Sequence, residues 1–97
     1  LKARMDAGQS FCLLDVREPW EVALARLPGS LCIPLHEVPA RLGELDAAAE
    51  IIVMCRAGTR SQRAAEFLAA HGFGAVSNLR GGIAAWARDI DPSMPDY

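Results

Sequence analysis

The sequence lacks the features that would take it outside the soluble globular class. No apolar run approaches the roughly 20 residues that span a bilayer, and no basic–apolar signal peptide opens the chain. Positive charge is not in excess either. Ten Lys and Arg against twelve Asp and Glu leave −2 at pH 7, which argues against a nucleic-acid partner. Repeats, low-complexity tracts and internal linkers are missing. Cysteine is scarce and odd in number: Cys12, Cys32 and Cys55 fit no disulfide scaffold and form no C-x-x-C pair. Free thiols in a reducing, cytoplasmic compartment are therefore expected. His36 and His71 have no metal-ligand spacing to any cysteine, so no metal site is expected. Leu1 rather than methionine begins the chain, so a fragment of a longer protein or a trimmed chain is expected.

What is present suits one small domain over residues 1–97, with residues 1–8 and 91–97 peripheral. Hydrophobic residues make up 52% and charged residues 23%, enough for a core of marginal stability. Residues 1–7 read as a short helix closed by Gly8. Phe11-Cys12-Leu13-Leu14, ending in Asp15, reads as a buried strand. Pro19 fits the first turn of a helix opening at Glu18. Pro28-Gly29 makes a turn before a strand at residues 31–33, and residues 36–42 form one or two helical turns. Ile51-Ile52-Val53-Met54 is continuous, β-branched and uncharged, as a central parallel strand covered on both faces requires. A helix follows over residues 61–71, with Ala64, Ala65, Phe67, Leu68 and Ala69 on its apolar face and Gly72 at its end. Residues 75–77 form a fourth strand, Gly81-Gly82 a turn, and residues 83–88 a last helix. The prolines of the tail stop it. Strands alternating with helices predict an α/β domain: a central, mostly parallel sheet with helices on both faces.

Ligands of parallel sheets bind beyond the carboxyl ends of the strands. Cys55 occupies that position, followed by Arg56-Ala57-Gly58-Thr59-Arg60-Ser61 and a helix. Unpaired N–H groups and the helix dipole at such a place favour a thiolate. A cysteine after a buried strand is most often a small hydrophobe. The glycine loop, the helix start and three arginines (Arg56, Arg60, Arg63) without an acid over residues 51–65 point instead to a nucleophile for anionic substrates. Cysteine phosphatases place five residues between nucleophile and arginine. Here four separate Cys55 from Arg60, a tighter ring that suits a terminal sulfur better than a phosphoryl group. Asp15, at the end of a neighbouring strand, is the one acid expected within approach of the loop.

Four segments in this order resemble the rhodanese (sulfurtransferase) domain family. They are Leu14-Asp15-Val16-Arg17-Glu18-Pro19, Arg26-Leu27-Pro28-Gly29-Ser30, the loop from Cys55 to Arg60, and Leu79-Arg80-Gly81-Gly82-Ile83-Ala84-Ala85-Trp86. Many members carry histidine where this chain has Arg26, a change expected to alter the surface and not the activity. The loop, the Arg-Leu-Pro-Gly-Ser turn and the ending Ile90-Asp91-Pro92-Ser93-Met94-Pro95-Asp96-Tyr97 look most like the C-terminal rhodanese domain of molybdopterin- or thiamine-type adenylyltransferase-sulfurtransferases.

The resemblance implies covalent catalysis through a Cys55 persulfide, held by the loop N–H groups from Arg56 through Ser61, with no metal or organic cofactor. The implied donors are thiosulfate or a cysteine desulfurase persulfide. The implied acceptors are a small thiophile or the activated C-terminus of a ubiquitin-like sulfur carrier protein, with a covalently linked adenylyltransferase domain and no nucleic-acid or membrane partner. Arg56 and Arg60 would guide anionic donors and Arg63 would do so less; solvated surface charge is the bland alternative for each. Asp15 and Arg17 would order the strand ends, either at the substrate or as an internal salt bridge. Cys12, Cys32, Trp20 and Trp86 are expected to pack, and His71 to cap its helix. The competing readings are a non-catalytic rhodanese-like binding module and an arsenate reductase or phosphatase.

Overall fold

The computed structural model describes residues 11–27 and 29–79. Strands β1 (Cys12–Asp15), β2 (Leu31–Cys32), β3 (Ile51–Met54) and β4 (Val76–Asn78) form one sheet in the order β2-β1-β3-β4. Every pairing among them is parallel. Asp15 lies opposite Met54 and Cys32, while Asn78 lies opposite Val53, so these strand ends share one edge. Parallel neighbours need crossover connections. Those are α1 (Pro19–Leu24), two 3-10 segments (Leu35–Glu37 and Pro39–Glu44) and α2 (Thr59–Ala70). The predicted α/β architecture is the observed one.

The sheet divides the core in two because successive strand side chains point to opposite faces. Leu14, Ile51 and Val53 pack with Ala64 and Leu68 of α2 and with Val38. Leu13, Ile52 and Met54 pack on the other face with Ala25 and Leu27, which follow α1. All four residues of β3 are buried, and its apolar run is the consequence of cover on both faces. Ala64 and Leu68 stand one turn apart on the buried stripe of α2. Truncating Leu68 there would cost about 2–5 kcal/mol.

Several local expectations are corrected. Ala69 is exposed, because one step beyond buried Leu68 turns about 100° away from the sheet. Trp20 is also exposed, at 59%, since its neighbour Glu21 takes the inward position of α1. The one or two helical turns expected over residues 36–42 are present, as 3-10 turns; Pro39 has no N–H to continue an α ladder. Helix α2 starts two residues earlier than predicted, directly after Gly58, whose φ of 102° ends the preceding loop. At its other end Gly72 has φ +91°, and the His71 and Phe73 N–H groups donate to the Leu68 carbonyl. The helices predicted at residues 1–7 and 83–88, Gly8, Pro28, the Gly81-Gly82 turn and Trp86 lie outside the described residues.

A buried ion pair fastens the strand ends. Arg17 Nη2 donates to Asp15 Oδ2 at 2.7 Å, Arg17 Nε reaches both Asp15 oxygens, and both side chains are 0% exposed. Arg17 also donates to the Ala25 carbonyl (2.5 Å), just past the end of α1, and to the Glu21 carbonyl (3.3 Å), which accepts the Ala25 N–H as well. Removing one member strands a buried charge. Arg17→Met is therefore expected to lower unfolding free energy by about 3–5 kcal/mol in a urea titration, and Asp15→Asn/Arg17→Met to lower it less. A single variant as stable as the parent would contradict this role.

Candidate active site

The loop after β3 must reverse the chain and begin α2 within four residues. Gly58 makes that possible by adopting a left-handed backbone conformation, which aims its N–H inward. Gly58 N–H donates to Cys55 Sγ at 3.0 Å and Ser61 N–H at 3.4 Å; the Ser61 hydroxyl lies 3.4 Å from the same sulfur. Cys55 is 1% exposed. Burial by itself pushes this thiol up. Hydrogen bonds from Ser61 Oγ and from the backbone N–H groups of Ser61, Gly58 and Ala57 outweigh it, and the thiol lies below its ordinary pKa. Cys12, without such donors, is pushed up by burial. All three cysteines are free thiols.

The ring is held from β4. The Ser61 hydroxyl has one proton to give, to Asn78 Oδ1 beside the neutral thiol or to Cys55 Sγ once the thiolate forms, and Asn78 Nδ2 donates to the Gly58 carbonyl and to Gln62 Oε1, each at 3.1 Å. Asn78 had no signal in the sequence, because it enters the site through sheet register and not through a motif. Glu21 was missed for a similar reason. Arg60 Nη1 and Nη2 grip its carboxylate at 2.5 and 2.8 Å. The Glu21 side chain is 4% exposed and that of Arg60 34%. Hydrogen bonding to Arg60 holds the Glu21 carboxyl below its usual range, against the opposing effect of burial, so the stabilisation is present at neutral pH and lost on acidification.

The remaining predicted site residues are spread around this centre. Arg56 and Ala57 are exposed on the loop, and Thr59 and Arg63 are exposed on α2. Asp15 does not reach the loop as an acid. Its carboxylate is buried against Arg17, the internal salt bridge of the two alternatives. Arg26 is exposed and donates to the Ser30 carbonyl at 2.7 Å, bracing the turn before β2. His71 caps α2 through Nδ1 on the Phe67 carbonyl at 2.8 Å. Cys12 is partly buried against the core, and Cys32 is partly buried beside Ser30. A cavity of about 570 Å³ lies beside α1, lined by residues including Val22, Leu24, Ala25, Cys32 and Pro34; no loop residue lines it. Its walls are mainly apolar, so the thiol under the N–H ring is the better site for chemistry. Among the described residues no cluster of His, Cys, Asp or Glu could hold a metal ion. No helix among them is long and apolar enough to cross a membrane.

Comparison with known proteins matches the pattern of the rhodanese-like domain over residues 1–89. The chain belongs to the rhodanese-like domain family. It is 40% identical to a sulfurtransferase of Allochromatium vinosum, over 91% of this chain and 82% of that protein. It is 36% identical to the adenylyltransferase and sulfurtransferase MOCS3-1 of Zea mays, where the match takes 99% of this chain but spans only 22% of the larger protein. A rhodanese-related protein from Thermoplasma volcanium superposes with a TM-score of 0.82 at 30% identity, covering 90% of this chain and 86% of that one. The rhodanese-like domain thus has sulfurtransferases among its relatives, and both the family resemblance and the likeness to adenylyltransferase-sulfurtransferases stand.

Alkylation tests the electrostatics directly. Because the loop donors favour the thiolate, iodoacetamide is expected to label Cys55 at lower pH than Cys12. Ser61→Ala should move the Cys55 profile upward in pH while the Cys12 profile stays where it is. Coincident profiles for the two cysteines would contradict the role given to the ring.

Proposed function

We propose that this rhodanese-like domain is a sulfurtransferase carrying sulfane sulfur as a persulfide on Cys55. The carrying observation is the buried Cys55 Sγ accepting N–H groups from Gly58 and Ser61 at the start of α2. Such a pocket stabilises an anionic sulfur and excludes bulkier groups. In the first half-reaction the Cys55 thiolate attacks the outer sulfur of a donor. With thiosulfate, its sulfur–sulfur bond breaks and sulfite leaves with the bonding pair. With a cysteine desulfurase persulfide, the desulfurase thiolate leaves. Cys55 then bears a terminal sulfur within the ring donated by Ala57, Gly58 and Ser61. In the second half-reaction a thiophile attacks that terminal sulfur, the Cys55 sulfur–sulfur bond breaks, and the Cys55 thiolate returns to its donors.

The acceptor is a small thiophile such as cyanide in an assay. The similarity to adenylyltransferase-sulfurtransferases supports a second acceptor, the adenylated C-terminus of a ubiquitin-like sulfur carrier, as in molybdopterin biosynthesis, with a linked adenylyltransferase domain supplying the activation. There the terminal sulfur of the Cys55 persulfide attacks the acyl carbon and AMP leaves; a thiol then cleaves the acyl disulfide, releasing the thiocarboxylate and a mixed disulfide that a second thiol reduces to free Cys55. Three free thiols support a reducing, cytoplasmic setting. A phosphatase or arsenate reductase lacks support: the acid nearest in sequence pattern, Asp15, is committed to Arg17.

Cys55→Ala is expected to abolish sulfur transfer from thiosulfate to cyanide, at least a hundredfold below the parent, whereas Cys12→Ala and Cys32→Ala retain most of it. Full activity in Cys55→Ala would overturn the proposal. A protein that loads no sulfur yet binds a partner equally well with Cys55→Ala would make the domain a binding module instead.

A further inference from the structure

The sequence places three arginines and no acid over residues 51–65, which reads as a site for multiply charged anions. The fold changes that sum. It brings Glu21 from 39 positions earlier in the chain onto Arg60, through two parallel hydrogen bonds. Arg56 and Arg63 are exposed, so water and salt screen them. Arg60 is the most enclosed of the three, and its charge and that of Cys55 act on one another. Arg60, the most enclosed of these cations, thus carries a fixed counter-charge.

Glu21 is held there and does not swing. Its Oε1 also accepts the Glu18 N–H at 3.0 Å in the capping box of α1, and its own carbonyl accepts from Arg17. A carboxylate that is almost wholly buried, doubly bonded to Arg60 and anchored through α1 does not yield to a passing anion. At the sulfur, a paired guanidinium acts as a dipole whose field falls off faster than that of a bare cation.

We propose that Glu21 determines donor specificity: by neutralising Arg60 it selects electrophilic sulfur donors of low negative charge, a protein-borne persulfide above free thiosulfate dianion. This rests on sulfur transfer at Cys55. A cysteine persulfide is neutral or singly charged at the transferred group. Thiosulfate presents two charges beside the scissile bond and gains little from Arg60 while Glu21 occupies it.

The test compares iodoacetate, an anion, with the neutral iodoacetamide as alkylating agents of Cys55, located by peptide mapping at low salt. Both react with the same thiolate, so the ratio of their rates reports the charge felt at the sulfur and cancels thiolate fraction. Glu21→Gln keeps hydrogen-bonding atoms at this position and removes the charge; it is expected to raise the iodoacetate-to-iodoacetamide ratio about three- to tenfold. Arg60→Gln should lower the ratio, and Glu21→Gln/Arg60→Gln should return it to the parent value. A Glu21→Gln ratio within twofold of the parent overturns the proposal, as does a double variant that keeps the raised ratio. Should Glu21→Gln fail to fold, by circular dichroism, the Arg60→Gln ratio decides alone, and an unchanged value overturns the proposal. Sulfur uptake from thiosulfate is measured on the same proteins, and Glu21→Gln is expected to accelerate it. Uptake by the parent without that acceleration overturns the donor selection. A shifted alkylation ratio with no uptake in any protein, from thiosulfate or from a desulfurase persulfide, overturns sulfur transfer itself and leaves Glu21 as the residue that sets the charge at Cys55.

Discussion

A thiol withdrawn from water holds its proton more tightly, because the interior solvates the anion poorly. Cys55 is withdrawn almost completely, yet its sulfur is surrounded by donors that favour the anion. The contest between these two effects organises the rest of the domain. Donors can converge on one atom only if the chain turns sharply, and Gly58 supplies that turn. The turn keeps its shape only if something outside it is rigid, and β4 supplies Asn78 to hold both the Gly58 carbonyl and the Ser61 hydroxyl. The sulfur stays at the mouth of the sheet only if β3 cannot slide, and burial of all four of its residues fixes it.

A second constraint runs through charge. Asp15 and Arg17 form a pair with no exposure to solvent, and Arg17 extends to the carbonyls of Glu21 and Ala25. Glu21 then grips Arg60. The end of β1, the short helix α1 and the start of α2 are thus joined by successive polar contacts. Buried pairs of this kind give little net stability compared with a well-packed apolar replacement, and their worth lies in the geometry they enforce. Here that geometry places a fixed negative charge against the loop arginine.

Much of this was legible in the sequence where the determinants are local. The apolar run of β3, Cys55 immediately after it, the glycine loop and the helix that follows lie within about twenty residues, and each has a physical signature in residue type. The parallel sheet followed from the alternation of strands and helices. What the sequence did not disclose depends on pairings between distant segments. Glu21 and Arg60 are 39 positions apart and Ser61 and Asn78 are 17 apart, so neither contact leaves a periodic or motif-like trace. Residue type leaves Trp20 open to core packing or to partial exposure, and the inward placement of Glu21 in α1 decides for exposure. The helical turns after β2 were legible, but their 3-10 form was not, because the non-helical backbone at Arg41 leaves no trace in an otherwise helix-compatible composition.

The most direct test of the central claim is the intact mass of the protein before and after incubation with a cysteine desulfurase and cysteine, with the modified peptide then mapped. The account predicts a gain of one sulfur atom, located on Cys55 and removed by cyanide. A protein whose mass is unchanged, or whose added sulfur maps to Cys12 or Cys32, would contradict it.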